Sequence, residues 1–149
     1  MRIDRFEFPE DLYYDRQHGW GRVVGNRLVQ GLTDFGQTIA RQIVFVEIPR
    51  LGRQVQQGQT FTSLESGKWV GRLPALASGT IAAANEALED EPELVNDSPY
   101  EDGWIAQIEM SDPAELDKLM RADTDEFRAF IEQEMQKHAK LLGKQGSGS

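Results

Sequence analysis

Apolar positions change their spacing several times along this chain, and each change marks an element. Phe6, Phe8, Leu12, Tyr13 and Tyr14 crowd the first 14 residues and predict an arm whose aromatics pack on the body. Gly19 to Val29 reads as a hairpin: Trp20 and Val23-Val24 lead into Gly25-Asn26, and Leu28-Val29 return. Thr33 or Asp34 caps a short helix, with Gln37 at its third position if Asp34 is the cap. Phe35, Ile39 and Ile43 are spaced by four and predict one buried helical face. Ile43 to Ile48 is a β-branched and aromatic run stopped by Pro49. Gly52, Gly58, Gly67, Gly71 and Gly79 then punctuate short strands, and Ser78-Gly79-Thr80 turns into Ile81-Ala82-Ala83. Trp104 to Ile108 alternates and predicts a closing strand.

The last third is helical. Asp112-Pro113-Ala114-Glu115 combines a cap, a proline at the first helical position and a Glu that completes a capping box, with Leu116, Leu119 and Met120 on the buried side. A second helix starts near Asp123 or Thr124 and runs to Leu142. Phe127, Phe130, Ile131, Met135, His138 and Leu142 follow its period, His138 at the polar edge. Short strands at regular spacing predict a mainly β chain, a small sandwich or barrel. The expected domain is residues 1–142, with a β body over 15–110 and helices over 111–142; residues 143–149 are expected to be a flexible tail or a cloning remnant.

One stretch stands apart: Ser63-Leu64-Glu65-Ser66-Gly67-Lys68-Trp69-Val70-Gly71. A lone lysine sits between strand-like flanks with a glycine on either side, so Lys68 reads as an exposed hairpin tip whose amine a modifying enzyme can reach. A solvated turn lysine is the plainer reading.

Glu65-Ser66-Gly67-Lys68 resembles the lipoyl-attachment motif of the glycine cleavage H-protein family, usually Glu-Ser-Val-Lys-Ala. The resemblance runs from about Asp15 to about Glu134. His18-Gly19-Trp20 matches the family's His-x-Trp, Gly31 to Gln37 its Gly-Ile-Thr-Asp-Tyr-Ala-Gln, and Val44 to Pro49 its Val-Phe-Val-Glu-Leu-Pro. Asn85 to Asn96, Pro99-Tyr100 and Gly103-Trp104 are the most specific runs. The resemblance implies a flattened barrel of two sheets, the hybrid domain of lipoyl carriers, with a short internal helix and C-terminal helices. It also implies lipoic acid in amide linkage to Lys68, as a swinging arm attached by a lipoate-protein ligase. Glu65, Ser66 and Gly67 complete the attachment motif, and Trp69 adjoins it.

Composition agrees with a carrier and excludes other classes. Net charge is −9, from 25 acidic and 16 basic residues, which excludes a nucleic-acid footprint. No apolar run approaches membrane-spanning length, so the expected location is the cytoplasm without membrane insertion. With no cysteine, thiol chemistry has to come from an attached group, and no protein thiol competes with the arm's disulfide. His18 and His138 are far apart, and no phosphate loop or apolar carboxylate pair occurs, so a non-catalytic subunit is expected. Asn85 to Asp102 carries eight acidic residues and no basic ones; it reads as a solvated face, a docking surface or a shelter for the arm.

Around the lysine the pattern departs from the family. Gly67 replaces valine, Trp69 a small residue and Arg72 an acid, and Pro74 and Leu76 stand where the family has tyrosine and proline. Altered docking residues on a preserved scaffold resemble the lipoate-binding proteins of sulfur oxidation, which work with a heterodisulfide-reductase-like complex, and this is the favoured expectation. Glycine cleavage, with partner enzymes including dihydrolipoamide dehydrogenase, is the alternative, and an unmodified scaffold protein is the third. Trp69 either anchors a partner beside the arm or folds back on its own sheet.

Overall fold

The computed structural model describes residues 1–146. Arg2–Ile3 (β1) and Phe6–Glu7 (β2) pair as a small hairpin. Tyr13–Tyr14 (β3), Gly19–Val24 (β4) and Arg27–Leu32 (β5) lead to the helix Asp34–Ala40 (α1). Strands Ile43–Val46 (β6), Gln54–Val55 (β7), Thr60–Ser66 (β8), Val70–Pro74 (β9) and Gly79–Ala84 (β10) follow. Two one-turn helices, Ala87–Asp90 (α2) and Leu94–Asp97 (α3), precede Ala106–Met110 (β11). A 3-10 segment at Pro113–Lys118, the strand Met120–Arg121 (β12) and the helices Asp125–Lys137 (α4) and Ala139–Gly146 (α5) complete the chain. The seven-stranded sheet runs β12-β3-β4-β5-β11-β10-β7, and the three-stranded sheet runs β6-β8-β9.

The two sheets close over Leu32, Val46, Phe61, Leu64, Leu73, Ile81 and Ile108, all buried. Gln30, fully buried on β5, ties one sheet to the other: its Nε2 donates to the Pro74 carbonyl (3.2 Å) and its Oε1 accepts from the Leu76 N–H (3.0 Å). A buried amide satisfied on both ends fixes sheet spacing, because losing either partner strands a polar group in the core. Trp20 is fully buried, lies over Gly31, where a Cβ would come within 2.9 Å of the indole, and donates Nε1–H to the Pro99 carbonyl (2.9 Å).

A second cluster joins the N-terminal arm to α4. Phe8 meets Phe127 edge-on at 5.1 Å and Tyr14 packs on Phe127 at 4.6 Å. Tyr14 donates to the Pro9 carbonyl and Tyr100 to the Glu7 carbonyl, each at 2.6 Å. The arm expected from the early aromatics is present, with Ile3, Phe6, Phe8 and Leu12 buried.

Several expectations need correction. Ile43 is not on the helical face with Phe35 and Ile39; α1 ends at Ala40 with Arg41 in the left-handed region (φ 73°), and Ile43 opens β6. The Asp112 segment is 3-10, and Glu115 closes no capping box. Its carboxylate instead accepts from the Ser78 N–H and hydroxyl, both at 2.8 Å, a tertiary demand that outbids the local one. The closing strand lies at 106–110, a little beyond the predicted 104–108. The terminal helix, capped by Thr124 as predicted, breaks at His138 into α4 and α5. Helix continues through Gly146 where a tail was expected, and the rest of that segment, residues 147–149, lies outside the described residues. The acidic run Asn85–Asp102 folds into α2 and α3, with Leu88 and Val95 buried beneath its charges. Asn96 braces α1 against β6 by accepting from the Ile43 N–H (2.8 Å) and donating to the Arg41 carbonyl (2.8 Å).

Phe127→Ala should cost about 3–5 kcal/mol in chemical denaturation, since an enclosed ring is replaced by a cavity between arm and helix. A loss below about 1 kcal/mol would show that α4 does not share the arm's core.

Candidate functional site at the Lys68 hairpin

β8 and β9 pair in register from Thr60↔Pro74 to Glu65↔Val70, and three residues, Gly67 to Trp69, make the turn. The Ser66 N–H donates to the Trp69 carbonyl (2.8 Å), and Ser66 Oγ accepts from the Lys68 N–H (3.3 Å). The turn is therefore pinned at its base while Lys68 stays exposed at its tip, as predicted. Its glycines serve a purpose other than the predicted one, for neither has a positive φ. Gly67 faces open space, with nothing within 4 Å of a Cβ built there. Gly71 lies under Trp69, where a Cβ would come within 1.7 Å of the indole. Residues two apart share a face of a strand, so the ring can lie flat only if position 71 has no side chain. Trp69 folds back on its own sheet rather than standing beside the lysine, and it packs on the core. Leu76 is buried too, against Gly19 and Gly21, so it is a core residue and not part of a docking edge. Arg72 and Val70 are exposed, and Glu65 is half-buried in the row between Phe45 and Val70.

Beside the hairpin lies a cleft of about 340 Å³ that no sequence pattern announces. Trp69, Arg72 and Leu73 form one wall; Arg16 and His18 form another; Glu134, Lys137 and His138 close it from the end of α4. His18 Nε2 and Glu134 Oε1 are 2.7 Å apart, and His138 is 3.9 Å from the same oxygen. The two histidines, 120 positions apart, thus meet around one carboxylate. Burial pulls His18 below its ordinary pKa, against the pull of Glu134 in the other direction, and its ring is sandwiched between Phe35 (5.0 Å) and Phe130 (5.4 Å). Among the described residues, Arg72 and Lys137 have no salt-bridge partner, whereas Arg16 pairs with Glu126 at 2.9 Å. The one legible trace of this cluster is the i, i+4 spacing of Glu134 and His138. A larger, shallower concavity of about 590 Å³ between α1 and α3 surrounds the bracing Asn96, and Gln42 in its lining directly precedes Ile43, the partner of Ser66 at the base of the turn.

His18 is held in the left-handed region (φ 67°) by an Asx turn. Asp15 Oδ1 accepts from the Gln17 N–H (2.9 Å) and the Gly19 N–H (2.8 Å). Burial raises the Asp15 carboxyl to about 6, against those two hydrogen bonds, which favour its ionised form.

Two sheets wrapped on one core, with an exposed lysine on a pinned strand-to-strand turn, define the lipoyl type of carrier domain. The family model for the glycine cleavage H-protein matches residues 12–134. The chain is 47% identical over 127 residues to the glycine cleavage system H protein of Brevibacillus brevis, spanning 85% of this chain and 99% of that one. It is 44% identical over 128 residues to that of Anaeromyxobacter sp. strain K, spanning 86% and 98%. The crystal structure of the H protein from Mycobacterium marinum superposes with a TM-score of 0.71 at 25% identity, covering 93% of this chain and 99% of that one. The chain belongs to the glycine cleavage H-protein family, whose members carry lipoate covalently on a lysine. Among the described residues no helix is long and apolar enough to cross a membrane.

Asp15→Asn keeps an oxygen acceptor but removes the cost of ionising a buried carboxyl. A raised folded pKa means that the wild-type chain loses stability as pH rises from about 4 to about 6, because the unfolded chain ionises first. The stability of Asp15→Asn relative to wild type, from urea denaturation across pH, should therefore increase over that window and level off above it. A difference independent of pH would contradict the burial of this group.

Proposed function

We propose that Lys68 is the lipoylated residue and that residues 1–142 form one carrier domain. The observation that carries this reading is the pinned, exposed turn bearing the chain's only lysine before Lys118. The residues fit the group: the tip is open around Gly67, and no cysteine can exchange with a dithiolane. When bound, lipoate supplies a reactive disulfide–dithiol pair at the end of a long arm. The protein's own part is positional. Ser66 and Trp69 hold the turn so that the amine points outward, and the tether raises the local concentration of the reactive end at each partner.

For partners, the names of the relatives favour the glycine-cleavage enzymes, and the family resemblance adds dihydrolipoamide dehydrogenase to them; none of those names points to sulfur oxidation. That reverses the order expected from the hairpin. Of the residues in which the hairpin departs from the family, Trp69 packs on the core and Leu76 is buried in it. One observation still favours a second reading, a carrier for a heterodisulfide-reductase-like complex. The cleft beside the lysine presents Arg72 and Lys137 unpaired, while its carboxylate, Glu134, is engaged by His18. An aminomethyl cargo is itself a cation and meets like charge there, whereas an anionic sulfur cargo does not.

Lys68→Arg should abolish lipoylation in a lipoylating host while leaving the thermal midpoint near wild type, because the site is exposed. Retention of the full mass increase would refute the assignment. With the lipoylated chain, glycine and the glycine-cleavage decarboxylase, Arg72→Asp should raise the rate of aminomethyl loading several-fold, on the order of what one removed like-charge contact provides. Rapid loading of wild type that Arg72→Asp leaves unchanged would remove the second reading.

A further inference from the structure

The three-stranded sheet turns one face outward, and that face is unusually apolar for so acidic a chain. Phe45 on β6, Glu65 on β8 and Val70 on β9 stand in register in a single row. Phe45 is 50% exposed and Val70 67%, and Val44, at the bulge beside Phe45, is 59% exposed. Glu47, exposed on the same side, shares the neighbouring row with Ser63, whose hydroxyl lies 3.3 Å from the Glu47 carboxylate, and with the exposed Arg72 opposite Ser63 on β9. Apolar side chains in register, bordered by two carboxylates and one guanidinium, are a poor surface to leave in water and a good one to cover.

We propose that this row is the docking surface for the enzyme that acylates Lys68, a proposal that rests on the assignment of Lys68 as the lipoylated residue. Reach singles out this enzyme. The strands that carry Glu65 and Val70 end at the turn that bears Lys68. Acyl transfer forms a bond between Lys68 Nζ and the carboxyl carbon of an activated lipoate. It breaks the acyl–phosphate bond of the lipoyl adenylate made from ATP, releases AMP, and passes the ammonium proton to solvent. That carbon has to come within bonding distance of an amine only four methylenes from the turn. The acylating enzyme must therefore lie against the strands that flank it. Enzymes that act on the finished arm meet its far end and are under no such constraint. Phe45 and Val70 supply the apolar contact, and Glu47 and Glu65, with Arg72 at the end of the next row, set the charge pattern that a partner must complement.

The unlipoylated full chain, incubated with purified lipoate-protein ligase, lipoic acid and ATP and followed by intact mass, provides the test. Phe45→Ser and Val70→Thr should each lower kcat/KM for lipoylation by about tenfold or more, chiefly through KM, as loss of an interface anchor does. Val24→Thr, an equally exposed apolar position on the β4–β5 hairpin, should behave as wild type. Thermal midpoints close to wild type would show that the effect belongs to docking. Unchanged lipoylation in both row variants would overturn the proposal, and so would a defect confined to later transfer between pathway enzymes. If wild type itself gains no mass, the Lys68 assignment fails and the docking proposal falls with it.

Discussion

The seating of the Trp69 ring over Gly71 is the contact on which the functional end of this molecule depends. A lysine offered to other enzymes needs exposure at its tip and rigidity at its base, and water-exposed hairpins are weak on their own. Here the indole, the Ser66–Trp69 backbone bond and the buried Leu64 and Leu73 beneath supply that rigidity. The same ring becomes a wall of the neighbouring cleft, so one packing event both steadies the turn and shapes the space beside it. Any side chain at position 71 would displace the ring and loosen both.

The rest of the fold serves to hold that hairpin sheet against the larger one. Gln30 fastens the sheets across the core, and Glu115 fastens the 3-10 segment to the turn at Ser78. The N-terminal arm and α4 build a separate aromatic cluster on the other side, from which Glu134 reaches His18. The cleft thus draws on both clusters, which is why residues from positions 16 to 138 line one small cavity.

Local periodicity made much of this legible. Alternation and turn glycines located the strands, the two-residue turn at Gly25-Asn26 is where the pattern put it, and Thr124 caps the terminal helix by accepting from the Phe127 N–H. The exposed lysine tip followed from its flanks. Contacts between distant residues were not legible. Nothing near His18 in sequence points to Glu134, 116 positions away, and nothing near Glu115 shows that Ser78 will claim it from its own helix. Gly71 carries a signal in its spacing: i and i+2 share a strand face, so a tryptophan two residues before a glycine can mean a seat for the ring rather than a bend. The acidic run was read by its charge, while its work is done by the buried Leu88 and Val95 and by the asparagines at 85 and 96.

That Lys68 carries the lipoyl group is the claim from which the partners, the cleft and the docking row take their meaning. Tandem mass spectrometry of proteolytic fragments from the chain produced with lipoate addresses it without any substitution. Fragment ions should place the whole of the added mass on Lys68, with Lys118, Lys137, Lys140 and Lys144 unmodified. Lipoate found on one of those lysines, with Lys68 bare, would contradict it.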